Sequence, residues 1–141
     1  MALNSVWNAV QGWLDQKGDT EGHAESVRGY TTKTVTIALN GSLSTEVDLE
    51  GYALAGLHMP ADWTAAVLTF QSAPISGGTF YNVYDDQGNE VTVQAADDRA
   101  IGVDVAAGAL ASWRFLKIRS GTAASAVNQA AARVITLVLK G

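Results

Sequence analysis

The segment from Trp63 to Asp86, WTAAVLTFQSAPISGGTFYNVYDD, constrains the fold most, because it reads as two antiparallel β-strands joined by a loop dense in turn residues. On its first strand Ala66, Leu68 and Phe70 fall on one side and Val67, Thr69 and Gln71 on the other, the period-two pattern of a half-buried strand. Pro74 withdraws a ladder donor, and Gly77 and Gly78 admit positive φ. The chain therefore breaks there and turns back into Phe80, Tyr81, Val83 and Tyr84.

The flanking sequence continues in the same style. Val35, Ile37 and Leu39 alternate with Thr34, Thr36 and Ala38, Asn40-Gly41 supplies a turn, and Leu43 to Leu49 predicts a second strand. Tyr52 to Met59 is a third, more continuously apolar, and Pro60-Ala61-Asp62 ends it. Asp85 to Glu90 reads as a turn whose Gly88 takes the left-handed conformation, ahead of a strand bearing Val91, Val93 and Ala95. Arg99 to Val103 is a short strand, and Val105 to Trp113 is one helical turn or an irregular crossing, weakened as a helix by Gly108. Trp113 to Gly121 alternates again, a small-residue loop spans 122–131, and Val134 to Leu139 closes the chain with a near-continuous apolar strand. This is the pattern of an all-β domain over residues 33–141. With 141 residues in all, the chain suits one core that buries about two-thirds of the unfolded surface.

Residues 1–32 differ in character. Leu3, Val6, Trp7, Val10, Trp13 and Leu14 recur in steps of three and four, Asn4 or Ser5 is placed to cap, and Gly18 to stop, an amphipathic helix. So short an apolar helix is not stable alone in water, so it docks either on its own domain or on a neighbouring subunit. Residues 18–32 are polar and broken by glycines, as in an extended arm, where His23 is a solvated side chain. A basic n-region with an unbroken apolar core is missing from the start, and no apolar run approaches the roughly 18 residues of a membrane helix, so neither a signal peptide nor a membrane partner is expected. With no cysteine, disulfides and thiolate metal sites are excluded.

The formal net charge of −5 is unevenly distributed. From Glu46 to Asp104 ten acidic residues face the single base Arg99, whereas Arg114, Lys117, Arg119, Arg133 and Lys140 follow with no acid. These are either two solvated faces or two poles that suit contacts between unlike protein surfaces. On the strand after Trp113, Leu116 and Ile118 point inward and Lys117 and Arg119 outward, so that Arg114, Lys117 and Arg119 are candidate partner-binding cations. Without interleaved exposed aromatics and in an acidic chain, they do not indicate nucleic acid.

No constellation for catalysis emerges. A Ser-His-Asp arrangement would rest on His58, with Asp62 four residues on and no nucleophile elbow, and a packed or hydrogen-bonded strand residue accounts for His58. Asp85-Asp86 and Asp97-Asp98, read as strand neighbours, point to opposite faces, the wrong geometry for glycosidase chemistry. Asp85 to Glu90 lacks the spacing of a calcium loop. No enzyme activity, cofactor or metal is expected.

The stretches LTFQSAPISGGTFYNVYDDQG and SWRFLKIRSGT resemble the galactose-binding-like and discoidin-like jelly rolls, and the wider region from Val35 to Val138, with GSLSTEVDL and MPADWTAAVLTFQ, looks like small structural proteins of tailed bacteriophages. The resemblance implies a jelly-roll-like antiparallel β-sandwich of the head decoration or cement type. It would be a homo-oligomer made in the host cytoplasm and carried on the virion, with the major capsid protein or other virion proteins as partners. Sugar-binding jelly rolls carry an aromatic platform with paired acid and amide groups, for which Trp63 and Tyr81 are the candidates here, although a core position explains both. A glycan-binding module of a tail or baseplate and a ring-forming tail or connector component are the alternatives.

Overall fold

The first strand ends in Thr34-Val35-Thr36-Ile37, and its two aliphatic residues share the face it buries. A computed structural model describes residues 29–103 and 106–141, and in it β1 (Tyr30–Ile37) places Val35 and Ile37 in the core and leaves Thr32 and Thr34 in solvent. β1 pairs along its whole length with β8 (Arg133–Lys140), from Tyr30 opposite Lys140 to Ile37 opposite Arg133. The strand therefore begins at Tyr30, ahead of Lys33. Tyr and the two threonines favour the pleated conformation, and the far end of the chain supplies their ladder partners.

β8 lies between β1 and β3 (Ala53–His58), and β3 carries β6 (Ala100–Gly102) on its other side, giving one four-stranded antiparallel sheet in the order β1-β8-β3-β6. The second sheet, β2-β7-β4-β5, is built from β2 (Val47–Asp48), β7 (Phe115–Ser120), β4 (Leu68–Ala73) and β5 (Tyr81–Asn82). Ile135, Leu137, Leu139, Leu54 and Leu57 from the first sheet meet Leu68, Phe70, Leu116 and Ile118 from the second in one apolar cluster, so the two sheets form a β-sandwich. Helix is confined, among the described residues, to α1 (Ala107–Leu110), whose Leu110 plugs the core. The expected N-terminal helix and arm, with Leu3, Val6, Trp7, Val10, Trp13 and Leu14, lie outside the described residues.

Three readings of the alternation are corrected by the pairing. Leu39 is exposed because β1 stops at Ile37 and the chain turns, with Asn40 at φ 61° and the Gly41 N–H donating to the Ala38 carbonyl. Leu43 to Leu49 is not one strand. Ser44 bridges to Ile37 of the first sheet while Leu43 bridges to Arg119 of the second, so the segment crosses between sheets and settles into a ladder only at Val47 and Asp48. β4 is not half-exposed: its polar row includes Thr69, fully buried, whose hydroxyl donates to the Gly121 carbonyl at 2.7 Å.

Candidate binding surface

Among the described residues β5 is the edge strand of the second sheet, and around it the sandwich exposes large rings. Asn82 pairs with Gln71 and Tyr81 with Ser72, and the Val83 N–H still donates to the Phe70 carbonyl at 3.0 Å before the chain turns. Tyr81 is 64% exposed and Tyr84 49%, while Trp113, from the segment before β7, is 38% exposed. With Pro74, Val83 and Ser72 they line a groove of about 310 Å³. Ser72 is only 6% exposed, and its Oγ has no hydrogen-bond partner among the described residues.

The rings are held from behind. Trp113 Nε1 donates to the Ala109 carbonyl at 2.7 Å, tying the indole to α1. Tyr84 bridges to Glu90 across a tight turn in which Asp85 Oδ1 accepts from the Gln87 and Asn89 N–H groups, both at 2.9 Å, and Gly88 takes φ +86°. Beyond Tyr84 and Trp113, and lined by both, lies a second depression of about 480 Å³ that carries Asp85, Asp86 and Ser112.

Beneath this edge sits Arg119. The alternation of β7 assigns it to solvent, but it is 6% exposed. Its Nη2 donates to Glu90 Oε2 at 2.8 Å, Nη1 to Asn82 Oδ1 at 2.9 Å, and Nε to Thr69 Oγ1 at 3.0 Å. β7 is paired on both sides, and the guanidinium meets acceptors from three segments, β4, β5 and the Glu90 turn, which together enclose it. Arg114 forms a two-pronged pair with Asp48, Nε to Oδ1 at 2.9 Å and Nη2 to Oδ2 at 3.0 Å. Lys117 lies over the Phe80 ring, 4.5 Å from its centre. The candidate cations thus do not gather into one outward patch, and the two charge poles read from the sequence partly neutralise each other, at the surface in the Arg114–Asp48 pair and within the sandwich wall in the Arg119–Glu90 pair.

The Asp48 carboxyl is held below the usual aspartate range, chiefly by its hydrogen bonds from Arg114, and the Arg114 guanidinium is raised in turn by Asp48. A depressed carboxylate pKa stabilises the fold at pH above the ordinary aspartate value, and that contribution is lost as pH falls through the depressed folded value. Arg114→Gln is expected to return the Asp48 titration midpoint upward toward the ordinary range, read by carboxyl NMR; an unmoved midpoint would refute the pairing. Glu46 is likewise lowered, first by the Ser76 hydroxyl and then by the Gly77 N–H, and so fastens the 74–79 loop to the strand region before β2.

Other candidates separate. Trp63 is 7% exposed with its Nε1 donating to the Ala66 carbonyl, so it belongs to the core, whereas Tyr81, expected to be buried with it, faces solvent. His58 is a strand residue, the last of β3, in register with Ala100 and Thr136, but its side chain is exposed instead of packed. Asp97 and Asp98 lie in a turn instead of on a strand, Asp98 at φ 55° with its N–H on the Pro60 carbonyl, so the opposite-face geometry does not describe them. Among the described residues no three His, Asp or Glu side chains gather as a metal-binding group, and no helix is long and apolar enough to cross a membrane.

Sequence reasoning missed Trp113 as a partner of Tyr81 and Tyr84, since nothing local links residues so far apart. It also missed Gln129, fully buried in the small-residue loop, whose Oε1 accepts from the Thr64 N–H and whose Nε2 donates to the Thr64 carbonyl and to Ser120 Oγ. The adjacent amides Asn128 and Gln129 among alanines were the one available sign. No protein-family model matches this chain, and no curated protein matches it.

Proposed function

We propose that the chain is a non-enzymatic structural protein of a tailed-phage virion, a jelly-roll-like sandwich of the cement or decoration type that binds and stabilises neighbouring capsid subunits. The observation that supports this best is the cluster of Tyr81, Tyr84 and Trp113 rings exposed around one groove at the edge of a sheet. Exposed aromatic anchors on a small, weakly charged domain are what protein contacts use, because a ring removes much apolar area from water at little entropic cost. The apolar residues between Leu3 and Leu14 fit the same role as a second attachment.

The test is made on particles. The polypeptide is expected in purified virions by mass spectrometry, and heads assembled without it are expected to release their genome at a lower temperature than heads that carry it. Its absence from virions, or equal heat resistance of the two kinds of head, would overturn the reading. A glycan-binding module is the second reading, favoured by the placement of Asp85 and Asp86 beside the same rings. Oligosaccharide binding that disappears in Tyr81→Ala, with heads unaffected, would favour it instead.

A further inference from the structure

We infer that the groove between Tyr81 and Trp113, with the acidic depression beyond Tyr84, binds an extended, proline-containing segment of a partner protein that carries a lysine or arginine beside its apolar stretch. This rests on the assembly reading and names the chemistry of the partner.

The shape comes first. Exposed rings with Pro74 and Val83 between them form an aromatic-walled groove of about 310 Å³. A left-handed polyproline-type segment fits such a groove because it is already extended and loses little freedom on binding. The second observation is Ser72. The residue lines the groove and is more than nine-tenths buried, and its hydroxyl has no partner among the described residues. A buried hydroxyl left unpaired is unfavourable, and a polyproline-type segment makes no internal hydrogen bonds, so its carbonyls are available to accept from Ser72 Oγ.

The third observation is charge. Tyr84 and Trp113 line both the groove and the depression holding Asp85 and Asp86, so a segment lying across the rings continues into negative potential. Asp85 already accepts two N–H groups of its own turn, whereas Asp86 forms no ion pair among the described residues. A cation on the ligand next to its apolar stretch meets that carboxylate. A neutral glycan would donate hydroxyls to that carboxylate without neutralising its charge.

The experiment is calorimetric titration of the full chain with two acetylated octapeptides, Ala-Pro-Pro-Leu-Pro-Lys-Arg-Ala and its counterpart with Glu-Glu in place of Lys-Arg, and with maltohexaose. The basic peptide is expected to bind at least about tenfold more tightly than the acidic one, with Tyr81→Ala and Trp113→Ala each weakening it about tenfold. Asp86→Asn is expected to reduce the preference for the basic peptide and flatten its salt dependence. Tyr81 and Asp86 are exposed, so these variants keep the core, and an unchanged unfolding midpoint checks this. Equal binding of the two peptides, no binding of the basic one at about 1 mM, insensitivity to Tyr81→Ala, or binding of maltohexaose alone would each overturn the inference. Virions that need the chain but tolerate Tyr81→Ala would overturn it while leaving the assembly reading intact; absence of the chain from virions would overturn that reading instead.

Discussion

Arg119→Met is expected to lower the stability of the sandwich by about 3 kcal/mol, measured by urea unfolding of the purified chain. The side chain of Arg119 is 7% exposed and that of Glu90 18%, so the pair is largely removed from water. Removing the guanidinium strands three acceptors at once. Glu90 Oε2 keeps only the Ala123 N–H at 2.9 Å, Asn82 Oδ1 keeps only Gln71 Nε2 at 3.2 Å, and Thr69 Oγ1 loses its donor. The partial exposure of Glu90 lets water recover part of the loss, which places the effect at the lower end of the range for a broken buried pair. Arg119→Lys keeps the charge but has no planar fork to reach Thr69, Asn82 and Glu90 together, and is expected to cost about half as much. A loss under about 1 kcal/mol for Arg119→Met would mean that the network contributes nothing beyond its packing. Because Asn82 lies on β5, the same variant is expected to loosen the edge that carries Tyr81, seen as faster amide exchange there.

The second large effect is expected at Gly121. Its φ is +92°, where side chains are strained, and a Cβ built there would stand 2.5 Å from the Ser125 carbonyl oxygen, 2.7 Å from the Val127 nitrogen and 2.9 Å from Ala126 Cα. All three are backbone atoms, and the loop that contains them is fixed by the Val127 N–H donating to the Ser120 carbonyl at 2.9 Å. The clash cannot be relieved by a rotamer change, so Gly121→Ala is expected to cost about 3–4 kcal/mol, conformational strain plus displacement of the loop. Gly77→Ala and Gly88→Ala isolate the first part, since both glycines have positive φ but nothing within 4 Å of the added carbon. Each is expected to cost only about 1–2 kcal/mol. Equal effects at all three positions would show that the close approach at Gly121 contributes nothing.

Gly121 and Arg119 share a physical setting. Gly121 allows the 122–127 loop to fold tightly against the end of β7, which places the Ala123 N–H on the Glu90 carboxylate that Arg119 also holds. The Gly121 carbonyl in turn accepts from Thr69. The loop, the β4 polar row and the Glu90 turn therefore form one connected support behind the aromatic edge.

What the sequence determined by itself is the class of fold and most of its strands. Period-two alternation in 34–37 and 115–118 sorts side chains by face without knowledge of any partner, because successive residues of an extended chain point opposite ways. Turn residues carry their own backbone preferences, so Asp85 to Gly88 and Asn40-Gly41 were legible as breaks. Only the tertiary structure decided which polar positions are buried. Alternation marks Arg119 and Thr69 as outward, yet Asn82, Glu90 and the Gly121 carbonyl hold both side chains in a buried network, and whether such a position is covered depends on chain segments remote in sequence. Tertiary structure also decided the site: Trp113 meets Tyr81 and Tyr84 through α1, whose Leu110 inserts into the core, a long-range placement that local spacing does not encode.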